Sequence, residues 1–250
     1  MSEKRMVIVT GGGRGIGAAT CRRLAAEGYP VAVNYASNEA AAHQVVAGIE
    51  AAGGKAVAIQ GDTGQEADIV RLFETAERAL GPLGGLVANA GVTGPVGRVE
   101  SITPAVLERV LAVNVTGLFL CAREAIRRLS TRHGGKGGAI VNVGSRAAEL
   151  GGGGEWVHYA ASKGAVDSFT IGLAREVAAE GIRVNAVAPG LIETELHAAA
   201  GGGDRLGRLV GFVPMQRVGS PEETAEAIVW LLSPASSYIT GAILPVSGGR

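Results

Sequence analysis

The sequence predicts an α/β fold in which one doubly wound parallel sheet carries helices on both faces, and three observations predict it. Short, almost wholly apolar runs alternate with longer segments of helical periodicity along the whole chain. Glycines punctuate the junctions. Apolar residues make up 47% of the 250 and charged residues 18%, enough to bury both faces of a sheet and still cover the outside. Residues 5–10 open the series as a continuous apolar strand stopped by glycines, the pattern of a strand buried on both sides. Helical spacing follows through Ile16, Ala19, Thr20, Arg23 and Leu24 and stops at Gly28. Residues 31–34 read as strand, 39–51 as helix, 56–60 as strand, 66–80 as helix, 85–88 as strand and 104–128 as one long helix. Residues 139–143 form the fifth strand, a glycine-rich loop occupies 151–154, and helix 159–180, strand 182–187, helix 221–232 and a short strand 242–244 complete the chain. This alternation implies right-handed crossovers between parallel strands. No repeat or linker interrupts it, so residues 1–250 read as a single domain. The stretch 191–214, with Gly201, Gly202, Gly203, Gly207 and Pro214, lacks a clear period and is expected to form a lid over a substrate.

Charge and cysteine usage exclude several classes of function. Lys plus Arg and Asp plus Glu each number 23, so no net field draws the chain to nucleic acid or to an anionic membrane. No apolar run is read as approaching the length of a membrane span, and the polar N-terminus carries no targeting pattern, which makes a cytoplasmic location the expectation. Cys21 and Cys121 lie in apolar helical patterns and read as buried thiols, not as a disulfide or metal framework. His43, His133 and His197 are scattered and propose no metal.

Glycine is over-represented, at 40 residues, and its densest functional use falls at the first strand-to-helix turn, 10–17. There Thr10, Gly11, Gly12, Gly13, Arg14, Gly15, Ile16 and Gly17 would leave backbone N–H groups and the positive end of a helix open to a phosphate. The absence of a following Lys-Ser or Lys-Thr disfavours an ATP-binding P-loop, and the placement in a βαβ series favours a dinucleotide. The spacing Gly11, Gly15, Gly17 resembles the cofactor motif of the short-chain dehydrogenase/reductase family. Asn89-Ala90-Gly91 is similar to that family's Asn-Asn-Ala-Gly motif, with Ala88 at the first position. Asn114, Ser145, Tyr159 and Lys163 match its catalytic positions, and Pro189-Gly190 with Thr194 matches its nicotinamide clasp. The resemblance runs in order along essentially the whole chain and implies a Rossmann-type sheet, hydride transfer between a nicotinamide cofactor and a carbonyl or alcohol, and a homo-oligomer, by family habit a tetramer. It implies cofactor contacts from Gly11, Arg14, Gly15, Ile16, Gly17, Asn34, Tyr35, Ala36, Ser37, Asp62, Thr63, Asn89, Ala90, Gly91, Pro189, Gly190, Ile192 and Thr194, beside Tyr159 and Lys163, with Asp62 directed at the adenine.

Cofactor choice is decided mainly where the second strand ends, because a carboxylate there binds a ribose 2′-hydroxyl and repels a 2′-phosphate. Asn34, Tyr35, Ala36, Ser37 and Asn38 offer no acid before Glu39, and the resemblance places Arg14 near the adenosine ribose. NADP(H) is therefore preferred and NAD(H) possible. Tyr159 and Lys163 stand four apart on one helical face, so the ammonium's attraction is expected to favour the phenolate by about 3 pKa units before desolvation is charged against it, enough to make the tyrosine a usable proton donor and acceptor. Ser145 is placed to orient a substrate oxygen; Asn114, a poor helix residue, is implied by the resemblance to hold a water next to Lys163. His158 is read as pocket rim or surface, and Trp156 as pocket lining or packing. Segments 94–99, 147–157 and 191–214 would shape the substrate pocket. A nucleotide-sugar epimerase would need a longer C-terminal substrate region, and a non-catalytic dinucleotide sensor would be signalled by a missing Tyr, Lys or Ser.

Overall fold

The computed structural model describes residues 4–195 and 205–250. Among them seven strands form one sheet in the order β3-β2-β1-β4-β5-β6-β7, all neighbours parallel. The strands are β1 (Met6–Val9), β2 (Val31–Tyr35), β3 (Ala56–Gln60), β4 (Leu83–Ala88), β5 (Gly138–Val143), β6 (Ile182–Pro189) and β7 (Ile243–Val246). Between and beyond them run α1 (Gly15–Ala26), α2 (Glu39–Ala51), α3 (Glu66–Leu80), α4 (Pro104–Leu111), α5 (Gly117–Leu129), α6 (Ala147–Leu150), α7 (Val157–Val177), α8 (Arg205–Leu209) and α9 (Pro221–Leu232).

Alternation along each strand produces two separate cores. Met6 and Ile8 of β1 pack with Leu72, Phe73 and Leu129 from α3 and α5, while Val7 and Val9 face Leu24, Val45 and Ile228 from α1, α2 and α9. Cys121 and Cys21 lie one in each core, and burial pushes the Cys121 thiol up to about 12, so both behave as small apolar groups. Local signals set the helix ends. Ser220 and Glu223 form a capping box before α9 with Pro221 at its first turn, and Pro245 lies in β7, the edge strand, where proline is tolerated.

The long helix expected over 104–128 is interrupted: Ala112–Thr116 is a π-helical turn between α4 and α5. The extra residue redirects Asn114 inward, a departure that helical periodicity does not reveal. The combined stretch Pro104–Leu129 is also long and apolar enough by composition to cross a membrane, which corrects the reading that no run reaches that length. Leu118, Cys121, Ala122, Ala125 and Leu129 in it are buried, four of them in the core under α5. The expected lid is only partly in view, because residues 196–204, His197 among them, lie outside the described residues. Its flanks are ordered by backbone contacts: Ile192 bridges Gly219, and Met215 N donates to Gly248 O.

Candidate active site

The strand order turns back between β1 and β4, so the chain leaves their carboxyl ends toward opposite faces and opens a crevice there. Asn89 ties the two ends together. Its Nδ2 donates to the carbonyls of Thr10 at 2.8 Å and Gly11 at 3.1 Å, while Thr10 Oγ1 accepts from the N–H groups of Asn89 and Ala90, both at 3.0 Å. Asn34, expected among the cofactor contacts, lines the cleft and also ties its amide to the scaffold: Oδ1 accepts from Gly11 N, and Nδ2 donates to the carbonyls of Ile59 and Gly61. Gly15 has φ +50°, and a Cβ on Gly17 would stand 2.2 Å from the Gly11 carbonyl oxygen. Only glycine permits this turn.

Arg14 occupies the N-cap of α1 without a capping side-chain bond, and the first turn holds no acid. The positive helix end therefore opens onto the cleft, and with Gly13, Gly15 and Ile16 lining it the turn fits a dinucleotide's pyrophosphate. Tyr35, Ala36 and Ser37 line the next part of the wall. The exposed Arg14 guanidinium lies 3.4 Å from Glu195. Burial acts to raise the Asp62 carboxyl, but hydrogen bonds from Arg109 at 2.8 Å and from Gly64 N at 2.9 Å outweigh it and hold the group below the usual carboxylate range. The side chain expected to meet adenine is thus already engaged. Thr63, Gly91, Pro189, Gly190, Ile192 and Thr194 line the same cleft, and Thr194 packs against Gly15.

Ser145, Tyr159 and Lys163 converge on that cleft, a single cavity of about 740 Å³ continuous with the glycine turn. Ser145 lies two residues beyond β5, on the wall it shares with Tyr159, and its hydroxyl accepts from Ala147 N at 3.1 Å. Burial pushes the Tyr159 phenol above its ordinary value, against the opposing effects of the Ser145 hydrogen bond and the Arg205 charge. This corrects the expected lowering by Lys163. The Lys163 Nζ lies 5.7 Å from the ring centroid and donates to Val143 O at 2.7 Å; burial brings it from 10.5 to about 8, partly offset by Asp167. Desolvation disfavours both charged forms and is the largest influence on each.

In the π turn, Asn114 Oδ1 accepts from Val92 N at 2.9 Å, and its Nδ2 donates to Val92 O at 2.8 Å and Ser162 Oγ at 3.0 Å. Asn114 and Lys163 share a second cavity of about 10 Å³, close to the space one water needs. His158 is buried, with Nε2 2.7 Å from Thr93 O, so it belongs to the packing behind the site and not to a rim or surface. Trp156 is both buried and part of the cleft wall. Sequence reasoning missed Arg109, Glu155 and Arg205, whose partners lie about fifty residues away in the chain, where no spacing rule applies.

Comparison with known proteins agrees with this geometry. The family model described as enoyl-(acyl carrier protein) reductase matches residues 11–250. The chain belongs to the short-chain dehydrogenase/reductase family of oxidoreductases. It is 52% identical over 245 residues to the uncharacterized oxidoreductase YgfF of Escherichia coli (strain K12), covering 98% of this chain and 99% of that one. A short chain dehydrogenase from Burkholderia cenocepacia J2315 in complex with NADP superposes with a TM-score of 0.90 at 34% identity, covering 100% of this chain and 99% of that chain. A 3-ketoacyl-(acyl-carrier-protein) reductase from Brucella melitensis, complexed with NADH, gives the same score and identity over 99% and 98%.

Proposed function

We propose that this protein is an NADP(H)-preferring oxidoreductase that interconverts a carbonyl and a secondary alcohol. The observation that carries the reading is the convergence of Ser145, Tyr159 and Lys163 on one cavity continuous with the glycine turn. When bound, a nicotinamide dinucleotide supplies or accepts the hydride. Gly13, Gly15, Ile16 and the N-terminus of α1 would hold its pyrophosphate, with Pro189, Gly190, Ile192 and Thr194 along the nicotinamide end. Ser145 orients the substrate oxygen, and Tyr159 gives that oxygen its proton in reduction and takes it back in oxidation. Lys163 stays protonated at neutral pH, with its Nζ held by Val143 O, and replenishes the proton through the small cavity it shares with Asn114. The preference for NADP(H) is supported by the carboxylate-free end of β2, by Arg14 at the turn and by the NADP bound to the Burkholderia relative; the NADH bound to the Brucella relative supports NAD(H) as the second choice.

The partner we infer is a small-molecule carbonyl or alcohol, and the assembly a homo-oligomer, by family habit a tetramer. Exposed Leu107, Leu111, Phe119 and Ile171 on α4, α5 and α7 support a second copy as the cover of that face. Titration with NADPH and NADH, followed by oxidation of the preferred cofactor against a panel of ketones, sugars, quinones and acyl thioesters, tests the reading. Tight NADPH binding with turnover of one carbonyl class is expected; failure to bind either cofactor would overturn it. Sedimentation of the parent and of Phe119→Asp checks the assembly, with a smaller species expected for the variant.

A further inference from the structure

The glycine-rich excursion between Ser145 and Tyr159 is used by neither the cofactor turn nor the catalytic set. Gly152 has φ +63°, and a Cβ there would stand 2.7 Å from the Trp156 carbonyl, so the loop turns back tightly only because the residue is glycine. The turn places Glu155 and Trp156 at the start of α7. Trp156 stands edge-on to Tyr159, with ring centroids 6.2 Å apart and planes at 68°. Beyond the segment 196–204 the first residue of α8, Arg205, reaches Glu155: its Nε and Nη2 lie 3.0 and 2.9 Å from Oε2. The same guanidinium lies 4.5 Å from the Trp156 ring centroid. The Arg205 and Glu155 side chains are only 13% and 29% exposed, so their attraction is screened far less than that of a surface pair, and the stack is partly desolvated.

We propose that Arg205 is a positioning residue for Tyr159: clamped by Glu155 and laid over Trp156, it fixes the indole against the phenol and brings a permanent positive charge to the catalytic end of the cleft. The inference rests on the role given to Tyr159 above. Among the described residues, the charged and titratable groups around that phenol are few. Ser145 in the turn after β5 acts to lower the phenol's pKa, and Arg146 in the same turn is paired with Glu149. Lys163 lies one helical turn along, with Asp167 a further turn beyond, and His158 points away to Thr93 O. Glu155 and Arg205 form the roof. Among these the Arg205 charge opposes burial of the phenol, second only to the Ser145 hydrogen bond. A lysine at 205 would restore the charge without the planar stack, which separates the two contributions.

Arg205→Met, Arg205→Lys and Glu155→Gln in the full chain test this. Tyr159 ionisation is read without substrate from the ultraviolet phenolate band of each protein minus that of its Tyr159→Phe counterpart, within the pH range where circular dichroism reports a folded chain. Where that range ends too early, the alkaline limb of kcat/KM for the panel's carbonyl gives the same comparison. Trp156 is followed by emission in a Trp230→Phe background. R205M is expected to move the Tyr159 transition up by roughly half to one pH unit and to red-shift Trp156 emission. R205K is expected to return the transition close to the parent while the emission stays shifted, and E155Q, which removes a negative charge but keeps the guanidinium, to leave the transition at or below the parent's while the emission moves part of the way toward that of R205M. An unmoved transition in folded R205M, or equal shifts in R205M and R205K, would overturn the proposal and leave the clasp as packing alone. NADPH binding measured on the parent keeps the two readings apart: its loss removes the proposed function, while the phenolate titration still judges Arg205.

Discussion

At the turn end of the cleft, Gly11, Gly15 and Gly17 are held by β1, β4 and Asn34, through backbone geometry and amide hydrogen bonds that tolerate almost no change of atom position. At the catalytic end, Tyr159 depends on side chains from separate segments: Ser145 after β5, Trp156 and Glu155 from the glycine loop, and Arg205 from α8. The difference teaches where each kind of specificity resides. Backbone defines the shape that receives a common ligand, and side chains on irregular segments define what reacts beside it.

The sharpest way to break this comparison is Tyr159→Phe. Turnover should fall by about two to four orders of magnitude while the NADPH dissociation constant stays within about twofold, as measured by steady-state kinetics and cofactor titration. Comparable losses in both would show that the two ends are not separable. The second test is electrostatic. The folded pKa of Lys163, about 8, lies below its ordinary 10.5, so a buried ammonium costs stability in full below pH 8. That cost is relieved as pH rises from 8 to 10.5. The stability of the parent relative to Lys163→Met should therefore rise by about 3 kcal/mol across that window in denaturant titrations. A flat difference would mean that Lys163 is solvated like a surface lysine.

Gly17→Ala probes the rigid end. With only 2.2 Å between the new Cβ and the Gly11 oxygen, the turn must shift, and NADPH and NADH binding should both weaken by about tenfold or more in isothermal titration. The smallest expected effect is Ala36→Asp, which places a carboxylate where none stands before Glu39. The ratio of NADPH to NADH affinity should fall by about tenfold, close to 1.4 kcal/mol, and an unchanged ratio would place the 2′-phosphate elsewhere.

The legibility of the chain follows the same division. Helices α2, α3 and α9 run over the residues that periodicity and caps indicate, because their signals are local: a glycine stop after 51, acids in the first turn of α3, Ser220 and Pro221 before α9. The π turn at Ala112–Thr116 was not legible, since a one-residue insertion leaves the apolar pattern nearly intact while rotating Asn114 inward. Tyr159 and Lys163 stand out by resemblance and their spacing of four places them on one face, yet the sign of the phenol's shift is not legible, because spacing reports proximity and not desolvation.

The sequence by itself determined the parallel α/β sheet and the glycine turn, since each rests on periodicities or spacings only a few residues long, whereas Asn114, Ser145, Tyr159 and Lys163 stood out as a set only through their resemblance, in order, to the short-chain dehydrogenase/reductase family. Tertiary structure alone decided that Asp62 is neutralised by Arg109, that Asn34 serves the scaffold, that His158 is buried and that Arg205 roofs Tyr159. Those outcomes depend on which distant side chains the fold brings together, and where they are buried, as at His158 and Tyr159, desolvation and a single charge can outweigh any local preference.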